Sequence, residues 1–175
     1  MDTELGDLSA KVYDPRGQRE VNDNWEIIDD SRWALAARNK RTGNIAVAFR
    51  GTKAKGDFLT DIALTSGYFS LTPRYRKANR YVSDIRKQNP DSEIILTGHS
   101  LGGFTAAEVA KNQGLKSVSF NAPAPLLRIQ PDMSKEHTFY RTKRDPIGTS
   151  GLLNFGRQRR WETGSGHAAK NFLIR

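Results

Sequence analysis

The chain has 175 residues, 37% of them apolar, no cysteine and a formal net charge of +9. That length suits one domain, read here as spanning residues 1–175, and it is enough to bury a core without disulfides or structural metals. The lack of cysteine excludes thiol catalysis and Cys-based zinc sites, and no apolar run approaches the roughly 18 residues of a membrane-crossing helix.

The charge is uneven. Residues 1–30 carry three basic and nine acidic side chains, net −6, and residues 31–175 carry 25 basic and ten acidic, net +15, which sum to +9. A basic body attracts anions: lipid headgroups, nucleic acid or an acidic protein. The acidic first residues, Met1 to Asp7, lack the apolar stretch of a secretory signal. The expectation is a soluble protein that is cytoplasmic, virion-associated or exported without a cleaved signal.

In chain order, residues 7–13 read as a short helix stopped by Asp14-Pro15. Residues 33–38 and 45–50 are short apolar runs around a turn, residues 39–44, and predict a β-hairpin. In the second run Ile45-Ala46-Val47-Ala48-Phe49 is apolar on both alternating faces, the pattern of a strand buried inside a sheet. Residues 57–64 predict a short helix. Residues 73–88 predict a longer one, with Tyr75, Ala78, Val82 and Ile85 on one face and Asn89-Pro90 as its stop. A strand over 93–97, a helix from Leu101 to about Asn112, strands over 116–121 and 137–142, and a short final helix within 166–174 complete the series. Strands alternating with helices predict an α/β layer structure with a mainly parallel sheet.

Gly98-His99-Ser100-Leu101-Gly102 matches G-x-S-x-G, and it lies between a predicted buried strand and a predicted helix. A serine nucleophile needs such a place: a tight strand-to-helix turn that exposes its hydroxyl. Gly98 and Gly102 carry no Cβ to clash where the segments crowd together. The helix N-terminus behind Ser100 presents backbone N–H groups toward a developing oxyanion, and the N–H of Leu101 is one of them.

The stretch Ile95-Leu96-Thr97-Gly98-His99-Ser100-Leu101-Gly102-Gly103 resembles the nucleophile segment of class 3 lipases, the fungal-lipase-like branch of the α/β-hydrolases. Phe49-Arg50-Gly51-Thr52 with Asp57-Phe58-Leu59-Thr60-Asp61-Ile62 is similar to that family's strand and oxyanion loop. Ser119-Phe120-Asn121-Ala122-Pro123 is similar to its strand after the elbow helix, and Asp145-Pro146-Ile147 to the place of its triad acid. The resemblance implies a compact α/β-hydrolase fold, a mainly parallel sheet flanked by helices with an N-terminal antiparallel hairpin. It implies Ser100 as nucleophile, Asp145 as acid, a later histidine as base, and Thr52 and Leu101 as oxyanion donors. The chain departs from the family in two respects: it is short for a member, which implies a shallow substrate cleft, and it has little space for a lid. Only residues 53–56 separate Thr52 from the helix at Asp57, which leaves no room for a long lid.

Three histidines are available. His99 adjoins Ser100 and should point away from its hydroxyl; His137 precedes Asp145. In this fold the order is Ser, then Asp or Glu, then His. His167, in a Gly-Ser-Gly-His turn, satisfies it, so His99 and His137 read as structural. Arg141-Thr142-Lys143-Arg144 and Arg157-Gln158-Arg159-Arg160-Trp161 are expected on loops at the rim of the site. There they would attract an anionic membrane surface, with Phe155 and Trp161 touching lipid.

The reading is therefore a carboxylic-ester hydrolase of lipase or phospholipase type, using a Ser-His-Asp triad and no metal or organic cofactor. Its partner would be a lipid or other ester substrate. The alternative is a basic binding module for anionic membrane or nucleic acid on an inactive hydrolase scaffold. No zinc pattern, RNP-like strand or reading helix supports a specific nucleic-acid binder.

Overall fold

A computed structural model describes residues 1–52, 71–123, 137–145 and 157–174. Helix α1 (Asp2–Lys11) leads into strands β1 (Trp25–Asp30), β2 (Ala34–Asn39) and β3 (Ile45–Phe49). Helix α2 (Pro73–Gln88), β4 (Ile94–His99), α3 (Leu101–Gln113), β5 (Lys116–Phe120), β6 (His137–Lys143), β7 (Arg157–Ser165) and a 3-10 turn (Ala169–Phe172) follow. The strands form one seven-stranded sheet in the order of the sequence. β1, β2 and β3 pair antiparallel, and every pairing from β3 onward is parallel.

This order fixes where the helices go. Parallel strands joined by right-handed crossovers that always step the same way place the crossover helices on one face. α2 and α3 share that face: Tyr75, Ala78, Val82 and Ile85 pack with Leu101, Phe104 and Val109 over Ile45, Val47, Phe49, Ile94 and Leu96. The other face is covered from the ends of the chain. Leu5, Leu8 and Val12 of α1 and Phe172 of the 3-10 turn bury Leu35, Ala37, Ala46, Ala48, Val118, Phe120 and Tyr140. β3 thus sends Ile45, Val47 and Phe49 one way and Ala46 and Ala48 the other, as a strand buried on both faces must.

The hairpin and both main helices form where their patterns predicted. Thr72 caps α2, its Oγ1 accepting from the Tyr75 N–H at 3.2 Å, and Pro73 occupies the first turn. α3 ends on Gly114 in the left-handed conformation, φ 64°. α1 starts five residues earlier than the apolar pattern indicated, with Asp2 and Glu4 in its first turn where the helix dipole favours acids. The final helix is a single 3-10 turn.

Two strands had no clear sequence signal. β1 has its register broken between Ile27 and Asp29, so its apolar residues do not alternate. β7 contains the second basic cluster, which corrects its expected placement on a loop. Arg157 to Arg160 pair with Thr138 to Arg141 of β6, and Arg141 to Lys143 of the first cluster lie in β6 itself. Trp161, expected to touch lipid, is partly buried against aromatic neighbours. Its ring packs edge-on against Phe120 at 5.4 Å and Tyr140 at 5.2 Å, and its Nε1–H donates to the Asn171 carbonyl. The expected helix at 57–64, the lid assignment at 53–56 and Phe155 lie outside the described residues.

One buried cation joins α1 to the hairpin. The Arg19 side chain is fully buried and pairs with Asp30 at 2.5 Å. It also donates to the carbonyls of Val12, Asp14, Ser31 and Ala34. Truncating it would remove a donor from each of these carbonyls and the cation from Asp30, which would keep only the Gly17 N–H among the described residues. Arg19→Ala should therefore cost about 3–5 kcal/mol. Urea denaturation with an unchanged m-value would report this as a lower midpoint.

Candidate active site

The site is built at the carboxyl ends of the central strands. β3 and β4 run parallel in register, Phe49 beside Gly98, and Gly51 continues alongside His99 and Ser100. The chain reverses from β4 into α3 at Ser100, whose φ of 56° and ψ of −130° are strained for a residue with a Cβ. The strain is held by hydrogen bonds from Ser100 N–H to the Phe120 carbonyl at 2.9 Å and from Phe104 N–H to the Ser100 carbonyl at 3.1 Å.

The turn also needs close approach. A Cβ on Gly98 would sit 2.5 Å from the carbonyl carbon of Gly102, and one on Gly102 would overlap the carbonyl oxygen of Phe49. Helix geometry leaves the first amides of α3, that of Leu101 among them, without intrahelical acceptors.

Asp145 and His167 come together. His167 Nδ1–H donates to Asp145 Oδ1 at 2.9 Å, with Asp145 buried and His167 about a quarter exposed. That bond sets the tautomer and leaves Nε2 as the acceptor nitrogen.

The loop that carries His167 is fixed by buried polar groups that sequence reasoning assigned no such part. Asn121, fully buried with φ 48°, receives the Thr142 N–H on its Oδ1 and donates through Nδ2 to Thr142 Oγ1 and the Gly166 carbonyl. Thr142 Oγ1 donates to the same carbonyl at 2.5 Å, and the Gly166 N–H returns to the Lys143 carbonyl at 2.7 Å.

His99 and Tyr13 complete the support. His99 Nε2 meets the His167 carbonyl at 2.5 Å, so this nitrogen carries the proton, and Nδ1 accepts from the Tyr13 hydroxyl at 3.2 Å. The two imidazoles lie 4.7 Å apart. The Tyr13 oxygen in turn accepts the N–H of Gly51 at 3.1 Å. Three separate segments therefore meet through one chain of hydrogen bonds: the end of α1, the strand before Thr52 and the His167 loop. His137 is remote from this group; it is buried in β6, its Nδ1 2.8 Å from Ser117 Oγ.

Burial, reinforced by the neighbouring His167, pushes His99 down to about 3. Burial, with Lys111 nearby, pushes His137 down to about 4. Burial raises the Tyr13 phenol to about 12, so it stays protonated and able to donate.

A phospholipase-like family, the Tle-like phospholipase domain, matches residues 16–128, more than half of the chain and the whole elbow. The chain belongs to this family. The Tle-like match ends before Asp145 and His167, so it covers Ser100 and its strand neighbours but not the histidine loop. ATG15 of Eremothecium gossypii, provisionally named a lipase, is 43% identical over 67 residues, 34% of this chain and 12% of that protein. ATG15 of Candida glabrata is 42% identical over 53 residues, 30% of this chain and 10% of that protein. The match thus spans about a tenth of the length of these relatives.

Among solved structures, the Lip2 lipase of Yarrowia lipolytica superposes with a TM-score of 0.57 at 17% identity, covering 94% of this chain and 76% of that one. The triacylglyceride lipase of Rhizomucor miehei gives 0.59 at 16%, covering 91% and 78%. At these identities the likeness speaks for the fold, which is that of the lipase-like α/β-hydrolases.

Two expectations follow from this Tle-like elbow and its neutral histidines. Gly102→Ala should fail to fold or lose several kcal/mol, because the clash is with backbone and not with a flexible side chain; far-UV circular dichroism and urea titration check it. For the histidines, the folded values lie below the ordinary value of 6.5. The unfolded chain therefore binds the extra protons, and stability falls as pH drops below about 6.5. Near pH 5 the loss should approach about 2 kcal/mol per histidine. Melting curves across pH should show it, and His137→Gln should flatten the slope.

Proposed function

We propose that this chain is a serine hydrolase that cleaves carboxylic esters of lipids, phospholipids in particular, with residues 1–175 acting as one catalytic domain. The observation that carries the reading is the Asp145–His167 hydrogen bond, held beside the strained Ser100 turn through His99. The phospholipase-like family supports the lipid class of the substrate.

In this reading His167 Nε2 takes the Ser100 hydroxyl proton as Oγ attacks the ester carbonyl. Asp145 holds the imidazole by Nδ1 and stabilises the imidazolium that forms. The N–H groups of Thr52 and Leu101 receive the oxyanion of the tetrahedral intermediate. His167 then gives the proton to the departing alcohol, leaving an acyl-serine. Water, deprotonated by the same imidazole, releases the acid and restores Ser100. No step requires a metal or an organic cofactor.

The competing reading, a basic binding module on an inactive scaffold, has no use for a buried carboxylate bonded to a partly exposed imidazole beside a strained serine. Ser100→Ala and Asp145→Asn should each lower kcat by about 10³-fold or more on a short chromogenic ester and on fluorescent phospholipids. Equal turnover by the wild type and Ser100→Ala would remove the hydrolase reading.

A further inference from the structure

A basic, partly aromatic face flanks the elbow, and no step of the proposed chemistry uses it. Helix periodicity brings Pro73, Arg76, Lys77, Arg80 and Asp84 to one side of α2, opposite the buried Tyr75, Ala78, Val82 and Ile85. With Trp33 and Tyr81 they wall an open hollow of about 460 Å³. Arg76, Lys77 and Arg80 are exposed, and among the described residues none of them forms an ion pair.

The floor of the hollow is packed against the core. Trp33 stacks on Phe49 of the core at 5.9 Å and meets Tyr81 edge-on at 5.1 Å, and the Tyr81 hydroxyl donates to Asp29 at 2.6 Å. Lys77 Nζ stands 4.5 Å over the Trp33 ring.

The face opens at the same end of the molecule as Ser100. Arg74, in the first turn of α2, donates to Thr105 Oγ1 of α3 at 3.2 Å and to the Arg50 carbonyl just past β3. The Trp33 carbonyl accepts the Arg50 N–H at 3.0 Å. Leu71, immediately before the helix cap, is 62% exposed. From residue 73 to residue 83 the helix holds four cations and no acid, and Asp84 is the first carboxylate.

We propose that this face is the docking surface for an anionic phospholipid bilayer. Arg76, Lys77 and Arg80 take headgroup phosphates, Leu71 enters the interface, and the Ser100 turn is thereby presented to lipid. The proposal rests on the hydrolase reading for its purpose, and it replaces the two expected rim clusters, which lie largely in strands β6 and β7. Charge complementarity favours it: each cation near a bilayer rich in acidic lipid adds attraction that salt screens.

The test uses the full chain carrying Ser100→Ala, so that lipid is bound but not consumed. Co-sedimentation compares phosphatidylcholine vesicles with vesicles of phosphatidylcholine and phosphatidylglycerol. Binding is expected to the anionic vesicles alone and to weaken with salt. Adding Arg76→Glu, Lys77→Glu and Arg80→Glu should reduce apparent affinity on the order of 100-fold. Adding Lys40→Glu, Arg41→Glu and Lys87→Glu instead makes the same charge change at the opposite end of the sheet and should reduce it far less.

In the Ser100 background the α2 triple variant should hydrolyse a soluble short-chain ester at the wild-type rate. A parent chain inactive on that ester would fail the hydrolase reading separately, while α2-dependent vesicle binding would still uphold the docking face. Equal loss in both triple variants, equal binding to neutral vesicles at low salt, or retention of a DNA oligonucleotide without vesicle binding would overturn the proposal.

Discussion

Everything at the candidate site depends on how closely the backbone of α3 approaches the end of β3. Gly102 lies against the Phe49 carbonyl with no space for a methyl group, and Gly98 lies against Gly102. This contact sets the pitch of the turn between β4 and α3 and forces Ser100 to φ 56°. Such strain persists only where the surroundings over-determine it. Here they do: β4 is hydrogen-bonded on both sides by β3 and β5, and α3 packs onto the same face as α2.

The second half of the site is positioned by polar groups and not by apolar packing. His167 follows a strand of mostly polar residues and precedes a single 3-10 turn, which offers little regular structure to hold it. Asn121, Thr142 and the Gly166 backbone form a closed set of hydrogen bonds under the loop, and His99 bonds the carbonyl of His167 itself. Buried bonds of this kind are directional and costly to leave half made, so they give one geometry where apolar contacts would tolerate several. Because His99 stays neutral, it adds no positive charge beside an imidazole that has to accept a proton.

The distribution of charge follows the layers. The basic residues of β6 and β7 belong to strands whose apolar members, Phe139, Tyr140 and Trp161, are drawn into packing. Arg76, Lys77 and Arg80 of α2 stand on the outer side of an amphipathic helix, exposed and, among the described residues, outside any ion pair. Basic runs of similar composition thus end in different settings, those of β6 and β7 in a sheet pairing and that of α2 on a helix surface.

Much of this was legible in the sequence. The double-faced apolar run of β3, the 3- and 4-residue spacing on α2, the Gly98-to-Gly102 motif between strand and helix, and the Asn89-Pro90 stop each express a local rule that few residues satisfy. The order of Ser100, Asp145 and His167 also singled out a histidine, and the fold places that histidine on that aspartate. What sequence could not express were relations between distant segments. β1 and β7 are strands because a neighbour offers hydrogen bonds, not because their own residues alternate, and Trp161 is packed because Phe120, Tyr140 and Phe172 converge on it. Tyr13, His99 and Asn121 acquire their parts only through partners 86, 68 and 45 residues away, at His99, His167 and Gly166. Local periodicity and turn chemistry determined the elements and the nucleophile turn. Only tertiary structure decided the support beneath the histidine, because a hydrogen bond between remote segments leaves no period in either of them.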